Sequence, residues 1–402
     1  MSWPGGSWID DPAFAADRPF GPQTLPYGVV RVDGAREVAA RVGDHALPLR
    51  GLRLGEEPAE LVGGGSLDPL LAADRPLWTE LRARLTELVT AASAPAGARL
   101  VPLADAPAEL GFTVADYVDF YSSRNHAENV GRMFRPDADA LLPNWTHLPI
   151  GYHGRAGTVV VSGTPVTRPS GQRRAPVDGV PDFGPCQRLD IEAEVGFVCG
   201  GPTAGRVSTA DASDHVFGVA LVNDWSARDI QAWEYQPLGP FLGKSFATSV
   251  AGWITPLEAF SAARVPVPDP GHPRVGYLVE DQPWGLDLRL EVRWNGTLVA
   301  RPPFATMSYS FAQQLAHLTV NGATVRAGDL FASGTVSGPQ REQRGSFLEL
   351  SWGGKEPVEL ADGVTRTFLE DGDTVVITAT APGPDGSVVG LAEVAGTVQP
   401  AA

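Results

Sequence analysis

The chain has 402 residues, a formal net charge of −16 at pH 7 and a pI near 4.8, and 43% of its residues are hydrophobic. This acidic balance argues against nucleic acid or an anionic membrane surface as a partner, and the length allows two domains. The first residues lack a basic region and an apolar run, and no stretch of about 18 apolar residues occurs. We therefore expect no signal peptide, no membrane span and a cytoplasmic location.

The cysteine content and the glycine pattern argue against several kinds of cofactor site. Cys186 and Cys199 are the two cysteines, and no Cys-x-x-Cys spacing exists, so a thiolate-bound zinc or iron–sulfur site is not expected. Two buried free thiols are expected, with a disulfide left open. No Gly-x-Gly-x-x-Gly follows a predicted strand and no Walker-type loop occurs, so a nucleotide cofactor has no support.

The first 110 residues are predicted to form a small leading domain of short strands and one helix. The strands are predicted at Tyr27–Val32, 37–42 and 45–52. Asp74 is expected to cap the helix, with Pro76 in its first turn and an apolar stripe through Leu77, Leu81, Leu85 and Leu88. The following segment AASAPAGA (91–98) is typical of a linker, and we place the domain boundary between Ala91 and Gly111.

The remaining residues alternate short apolar runs with glycine- and proline-rich turns, a pattern typical of a β protein. Strands are predicted at 116–121, 159–161, 190–198, 216–221, 253–254, 275–279, 287–294, 297–299, 330–336, 348–352, 366–369 and 374–379. Helices are predicted at 122–134, capped by Ser122 or Ser123, and at 311–318. Asn295-Gly296 predicts a hairpin turn. The fold class is therefore mainly β, with helices added (α+β).

The segment LDIEAEVGF (189–197) alternates apolar and acidic residues with period two, which predicts a strand. Asp190, Glu192 and Glu194 would share one face of it. Like charges at this spacing repel unless a cation lies between them. The alternative is a half-exposed strand with a polar outer face, which is common in antiparallel sheets.

Two further acidic residues, Asp119 and Asp224, also lie in apolar or aromatic strand contexts. Burying several carboxylates is costly, and hard cations such as Mg²⁺ and Ca²⁺ prefer cages of oxygen ligands. An aspartate at a strand end can also be a simple turn residue. His126, on the short helix that follows Asp119, is a candidate general base, with a helix-surface histidine beside Glu128 as the alternative.

Polar residues after Asp224 form a second cluster. Arg228, Gln231 and Tyr235 are spaced by three and four, so one helical face would carry all three. Such a face could hold an anionic or carbonyl-bearing ligand, and Lys244 follows in an apolar setting. The alternative is a solvated amphipathic turn.

Six fragments, in this order, resemble the fumarylacetoacetate hydrolase family: DFYSSRNH (119–126), NWTHLPIGYHGR (144–155), DIEAE (190–194), NDWSARDIQ (223–231), GPFLGKS (239–245) and ELSW (349–352). The resemblance covers most of 111–402 and, less distinctively, the first 110 residues. It implies a small SH3-like N-terminal barrel (1–110), then a larger mixed β-roll catalytic domain (111–402), assembled as a homodimer. It also implies metal-dependent hydrolysis of a diketo acid, 4-fumarylacetoacetate, to fumarate and acetoacetate in tyrosine and phenylalanine breakdown.

The resemblance also assigns roles by motif position. Its metal ligands would be Asp119, Glu192, Glu194 and Asp224, with Lys244 and Thr248 near the cation, which would be Mg²⁺ or Ca²⁺. His126 would be the general base, paired with Glu349, and Arg228, Gln231 and Lys244 would stabilise an oxyanion. Substrate contacts would come from Tyr121, Arg135, Tyr152, Gln231, Tyr235 and Thr335. Ala247 departs from the family pattern, which has glycine there.

Two other interpretations stay open. The nearer one is another enzyme of the same superfamily, either an acylpyruvate hydrolase or a decarboxylase or isomerase of keto-enol acids, because these share the core of two glutamates and one aspartate. The other is a non-catalytic protein whose acidic cage holds Ca²⁺ for stability alone. Metal removal separates the two, because a scaffold would lose melting temperature without ever showing catalysis.

Overall fold

The computed structural model describes residues 7–174, 179–361 and 363–402. The expectation that no signal peptide is present depends in part on the first six residues, which lie outside this described part. Among the described helices, none has both the length and the apolar character that crossing a membrane requires. Cys186 and Cys199 are both free and buried, which confirms the expectation of two unpaired thiols.

The N-terminal part of the described chain has five strands and three α-helices: β1 (Tyr27–Val32), β2 (Ala35–Val42), β3 (His45–Pro48), α1 (Glu56–Val62), α2 (Asp68–Ala72), α3 (Arg75–Val89), β4 (Val101–Pro102) and β5 (Ala108–Glu109). Asp74 caps α3, as predicted. The buried stripe of α3 includes Trp78 and Val89 in place of the predicted Leu77 and Leu88. Helices α1 and α2 were not predicted, because seven and five residues are too few to show a helical period.

The larger part begins with β6 (Asp116–Phe120), α4 (Arg124–Phe134), β7 (Gly151–His153), β8 (Val159–Val161), β9 (Val166–Thr167), β10 (Ser170–Arg173), β11 (Asp182–Pro185), β12 (Leu189–Asp190), β13 (Ala193–Cys199), β14 (Val216–Asp224), β15 (Ser226–Ala227), α5 (Arg228–Glu234), β16 (Thr248–Val250) and β17 (Trp253–Pro256). It continues with β18 (Arg264–Val265), β19 (Gly285–Leu286), β20 (Arg289–Trp294), β21 (Thr297–Ala300), α6 (Phe311–Thr319), β22 (Asp329–Ala332), α7 (Phe347–Leu350), β23 (Val358–Glu359), β24 (Thr365–Arg366), β25 (Thr374–Pro382) and β26 (Val388–Gln399).

One 13-stranded sheet contains strands from both parts of the chain. Its main path is β4-β3-β2-β1-β17-β14-β13-β22-β6-β7, and β16, β8 and β5 pair beside this path. The β22–β6 and β16–β8 pairs are parallel, and β1 pairs with β17, so the N-terminal strands extend the sheet of the larger part. The predicted strand-rich, mixed α+β architecture is therefore present. The SH3-like barrel and the division into 1–110 and 111–402 stay predictions.

A second, five-stranded sheet has the order β21-β20-β25-β26-β9. The predicted hairpin joins β20 to β21, with positive φ at Asn295 (46°) and Gly296 (79°). Strand β26 was not predicted, because its glycines interrupt the apolar alternation. One of them, Gly396, lies so close to the buried Trp225 that a Cβ atom would come within 2.4 Å of the indole. This close approach packs the second sheet against the first.

Three predicted strands have a different conformation in the structure. Residues 348–352 are not a strand, because Ser346 caps the helix α7 there by accepting the N–H of Glu349. Residues 275–279 contain a 3-10 turn, and Val275 and Val279 are exposed instead of packed in a sheet. The strand predicted at 190–198 breaks between β12 and β13, which changes the direction of its acidic side chains.

Candidate active site

Three of the predicted acidic residues, Asp119, Glu192 and Glu194, converge in a buried carboxylate cluster. Each offers one oxygen, and these oxygens lie within 4.8 Å of one another. Asp119 lies on β6 and Glu194 on β13, and β22 pairs with both strands, while Glu192 lies in the break just before β13. Every residue of β13 is buried, so the alternative of a half-exposed strand with a polar face is wrong.

Asp119 and Glu194 are incompletely partnered. Asp119 accepts the hydroxyl of Tyr152 at 2.7 Å through Oδ2, and Glu194 accepts the N–H of Gly334 at 3.2 Å through Oε2. Their other oxygens have no hydrogen-bond partner, and neither carboxylate forms an ion pair among the described residues. Burial, followed by the neighbouring carboxylates, raises the pKa of both groups well above the usual values. Gly334 can approach this closely because it has a φ of +78° and no side chain, whereas a Cβ would clash with the backbone of β6.

Glu192 has the opposite environment. Its Oε1 lies 2.8 Å from Nη1 of Arg228, and its Oε2 lies 2.7 Å from Nζ of Lys244. Burial alone would raise the pKa of Glu192, but Lys244 and Arg228 outweigh it and hold this pKa below its usual range. Burial would in turn lower the pKa of Lys244, but Asp224 and Glu192 raise it. Glu192 and Lys244 therefore hold their charges at neutral pH, as does the Arg228 guanidinium.

Asp224 and Thr248 face each other across the β14–β16 pair. Asp224 accepts the hydroxyl of Thr248 at 2.9 Å through Oδ1 and the ammonium of Lys244 at 2.7 Å through Oδ2. Lys244 therefore bridges Asp224 and Glu192, next to the carboxylate cluster. The role of Asp224 as a fourth ligand stays a prediction, because both of its oxygens already accept hydrogen bonds from the protein. Ala247, the departure from the family pattern, is buried beside Thr248.

The carboxylate cluster fits a metal ion. Lys244 and Arg228 compensate Glu192 and Asp224, but no cationic side chain pairs with Asp119 or Glu194 in the described part of the chain. Each of these two buried groups keeps one oxygen without a partner. A divalent cation bound by these oxygens would relieve the repulsion between the carboxylates and give each free oxygen a partner.

His126 and Glu349 form a buried dyad beside this cluster. Ser123 caps α4 by accepting the N–H of His126 at 3.3 Å, which confirms one of the two predicted caps. Nδ1 of His126 lies 2.6 Å from Oε2 of Glu349. His126 is buried, so the alternative of a helix-surface histidine is wrong, and Glu128 forms ion pairs with its own helix.

Three further residues hold the Glu349 carboxylate. Asn129 donates to it at 2.9 Å, and the hydroxyls of Ser337 and Ser346 donate at 2.9 Å each. Burial alone would raise the pKa of Glu349, but His126, Asn129 and Ser337 lower it below its ordinary value. The sequence reasoning missed these donors. Ser346 precedes Glu349 by three residues, a capping spacing that could have revealed it.

The second predicted cluster is only partly brought together. Arg228 is buried, and its Nη1 also donates to Gln231 at 3.2 Å, so the alternative of a solvated turn is wrong for Arg228. Nη2 of Arg228 is buried without a hydrogen-bond partner among the described residues. Tyr235, in contrast, is 42% exposed, and its hydroxyl accepts a hydrogen bond from Gln236.

The other predicted substrate residues lie around the dyad and the carboxylate cluster. The ring of Tyr121 meets His126 edge-on at 5.3 Å, and Tyr152 contacts Asp119 as described above. The hydroxyl of Thr335 is buried without a hydrogen-bond partner in the described chain, and Arg135 donates to the backbone of Ala140. A cleft beside the cluster is lined by Tyr117, Tyr152, Arg155, Asp224, Phe241, Lys244 and Thr248.

Comparisons with known proteins agree over nearly the whole chain. The family model "Fumarylacetoacetase N-terminal" matches residues 23–110, and "Fumarylacetoacetate (FAA) hydrolase C-terminal" matches residues 116–399. The fumarylacetoacetase of Homo sapiens is 42% identical over 410 residues, covering 96% of this chain and 98% of that protein. The fumarylacetoacetase of Caenorhabditis elegans is 44% identical, with 94% and 96% covered.

Solved structures with this fold share far less sequence. The fumarylacetoacetate hydrolase from psychrophilic Exiguobacterium antarcticum has a TM-score of 0.56 at 17% identity, covering 94% of this chain and 99% of that chain. The maleylpyruvate hydrolase from Sphingobium has a TM-score of 0.52 at 17% identity, covering 93% and 99%. At such identities these structures support the fold of the chain and do not specify its substrate.

Proposed function

The chain belongs to the fumarylacetoacetate hydrolase family, and from this premise we propose that it hydrolyses a carbon–carbon bond of 4-fumarylacetoacetate to give fumarate and acetoacetate. The observation that carries this proposal is the buried His126–Glu349 dyad, which lies close enough to the carboxylate cluster for His126 to help lower the pKa of Glu192. A general base beside a cation site is the arrangement that such a hydrolysis needs. A cage that held Ca²⁺ for stability alone would have no use for the dyad.

Mg²⁺ or Ca²⁺ is the proposed metal, because the cluster consists of oxygen donors only. Asp119, Glu192 and Glu194 would hold it, with Asp224 as the fourth ligand and Lys244 and Thr248 close by. When bound, the cation would polarise the ketone oxygens and stabilise negative charge on the leaving enolate.

His126 is the proposed general base. Its Nδ1–H donates to the ionised Glu349, which leaves Nε2 to accept a proton from water. The hydroxide formed in this way attacks the carbonyl carbon of the fumaryl group, which becomes the new carboxylate of fumarate. As the tetrahedral intermediate collapses, the carbon–carbon bond breaks, and the proton held by His126 is returned to the carbon of the departing acetoacetate. One water is consumed, and one carboxylic acid and one keto acid form.

Arg228, Gln231 and Lys244 are the proposed oxyanion stabilisers. The buried Nη2 of Arg228, which has no partner among the described residues, is the donor best suited to this role. Arg228 and Lys244 are both held by Glu192, so their positions are fixed before substrate enters. Donors that are already oriented need little reorganisation when the negative charge develops.

The remaining predicted residues are proposed to bind the substrate: Tyr121, Arg135, Tyr152, Gln231, Tyr235 and Thr335. Arg135 supplies positive charge for a terminal carboxylate, and Thr335 has a hydroxyl that is still free to donate in the described structure. We also propose the SH3-like form of the N-terminal domain, a homodimer and a cytoplasmic location, which the family resemblance implies.

Hydrolysis of fumarylacetoacetate by the purified protein tests this function. Loss of the diketone absorbance is followed with and without a chelator, and an acylpyruvate is assayed in parallel. Metal-dependent turnover of fumarylacetoacetate, with little turnover of the acylpyruvate, supports the proposal. Turnover of the acylpyruvate alone would assign the chain to a different substrate within the superfamily. Turnover of neither, with a melting temperature that falls on chelation, would leave a structural metal site.

A further inference from the structure

Asp190 is a fully buried carboxylate to which the proposed chemistry gives no role. By its sequence spacing it should share a strand face with Glu192 and Glu194. The structure directs it elsewhere, because β12 ends at Asp190 and the chain turns before β13 begins. Its side chain therefore leaves the carboxylate cluster and contacts another segment, more than 150 residues later in the chain.

Four donors surround the Asp190 carboxylate. Its Oδ1 accepts the N–H groups of Ile191 at 2.8 Å and Phe347 at 2.7 Å. Its Oδ2 accepts the N–H of Leu348 at 3.1 Å and Nε of Arg228 at 2.8 Å. One carboxylate thus joins the first turn of α7 to the guanidinium of Arg228.

Both segments that Asp190 joins carry groups of the active site. Helix α7 has only four residues, one of which is Glu349, and its first amides have no partner within the helix. The orientation of this turn sets where the Glu349 carboxylate lies relative to His126, 2.6 Å away. On the other side, Arg228 contacts Glu192 of the carboxylate cluster. Asp190 is therefore a direct link between the base dyad and the metal site.

We propose that Asp190 is a positioning residue, which holds the α7 turn against Arg228 and so keeps His126 and Glu349 aligned with the carboxylate cluster. Its kinetic consequences rest on the proposed function. Asp190 does not touch the reacting atoms. A small displacement of a catalytic group is nevertheless enough to slow a reaction about 100-fold.

Asp190→Asn tests this role with almost no change in volume. The asparagine amide keeps one acceptor oxygen. In place of the other carboxylate oxygen it has an NH₂ group, which cannot accept the hydrogen bonds that this oxygen accepts in the wild type. We expect kcat for fumarylacetoacetate to fall about 100-fold, while KM and the Kd for Mg²⁺, titrated alone, change less than about threefold. Amide hydrogen exchange at Phe347 and Leu348 should quicken about tenfold, because their acceptor is weakened.

Asp11→Asn is the matched control. Asp11 also accepts two backbone N–H groups, from Ala13 at 2.8 Å and Asp44 at 2.9 Å, and it pairs with the ring of His45. Its side chain is 7% exposed, and these partners all lie within the first 45 residues. The control should lose stability and keep kcat. A fall in kcat for Asp190→Asn no larger than for Asp11→Asn would overturn the inference.

A double variant separates positioning from general damage. If Asp190 acts through Glu349, adding Asp190→Asn to a Glu349→Gln protein should lower kcat less than about threefold further. A full further loss of about 100-fold in that background would overturn the inference. If Asp190→Asn does not fold, Asp190→Ser, which leaves room for a water, takes its place in the same cycle.

The hydrogen-exchange measurement does not depend on turnover. If the wild-type protein does not hydrolyse fumarylacetoacetate, the proposed function fails, and the exchange rates still test Asp190. Unchanged exchange at Phe347 and Leu348 in Asp190→Asn would show that Asp190 does not hold the α7 turn. Faster exchange there, with Asp11→Asn unchanged at the same amides, would support it.

Discussion

Replacing Glu194 by glutamine should stabilise the metal-free protein and remove its response to metal. Glu194 and Asp119 each keep one oxygen without a hydrogen-bond partner among the described residues, and they offer oxygens within 4.8 Å of each other. At this distance and an effective dielectric constant of about 20, two charges repel by about 3.5 kcal/mol. Protonating a glutamate with an ordinary pKa near 4.3 at pH 7 instead costs about 3.7 kcal/mol. Whether both carboxylates are ionised or one is protonated, the free energy of unfolding of the metal-free protein is lower by about 3.5 kcal/mol. A glutamine at position 194 removes this loss.

The metal removes most of this difference in stability. At a concentration 100 times its Kd, a ligand that binds only the folded state stabilises it by about 2.7 kcal/mol. With an unfolding entropy of about 2.1 cal/mol/K per residue, the melting temperature of a chain of 402 residues rises by about 1 °C for each increase of about 0.8 kcal/mol in the free energy of unfolding. We therefore expect the metal-free Glu194→Gln protein to melt about 4 °C above metal-free wild type. Mg²⁺ should raise the melting temperature of the wild type by about 3 °C and leave that of the variant unchanged.

Differential scanning calorimetry, with a chelator and then with increasing Mg²⁺, measures both shifts. Asp373→Asn is the control, because Asp373 is an equally buried carboxylate (4% exposed) that binds Trp294 and Asn295 on the second sheet. This control should lose stability and keep the shift of about 3 °C. A Glu194→Gln protein that keeps that shift, or that melts below wild type without metal, would refute Glu194 as an uncompensated ligand.

The remaining predictions concern the dyad. His126→Ala should lower kcat about 100-fold or more, with the Mg²⁺-induced melting shift retained, and near-normal turnover would exclude His126 as the base. Glu349→Gln should move the acidic limb of the kcat–pH profile to lower pH, because an amide no longer stabilises the protonated imidazole, and an unmoved limb would leave Glu349 a structural role. The pKa of Glu349 is lowered in the fold, so its contribution to stability is complete above the ordinary value of about 4.3 and is lost as the pH falls through the lowered one. Urea unfolding between pH 6 and pH 2 should show this loss in wild type and not in Glu349→Gln.

Features set by short-range chemistry could be predicted from the sequence. Strand β1 has the predicted bounds, the Asn295-Gly296 turn lies where its dihedral preferences place it, and Ser123 caps α4. The grouping of Asp119, Glu192 and Glu194 was also predictable. Buried like charges in apolar strands have few explanations besides a cation.

Features set by distant contacts could not be predicted in this way. Alternation with period two places side chains on a common face only while a strand continues, and the strand that carries Glu194 is interrupted after Asp190. Asp190 accepts a hydrogen bond from the backbone N–H of Phe347, and no local sequence pattern connects these two residues. The helix that contains Phe347 is apolar and resembles a strand in sequence. Phe347 stacks on Trp294 of the second sheet with 3.9 Å between the ring centroids, and this tertiary packing sets its conformation.

Charge balance connects metal binding to substrate binding in the proposed reaction. The protein carries a net charge of −16, and its proposed substrate is itself an anion. Lys244 and Arg228 are already committed to the carboxylates beside them, so they do not offset the charges of Asp119 and Glu194. Without a cation, an entering diketo acid would meet two uncompensated carboxylates in a site of low dielectric constant. A bound divalent cation would neutralise these charges, so in the proposed reaction we expect the metal to bind before the substrate.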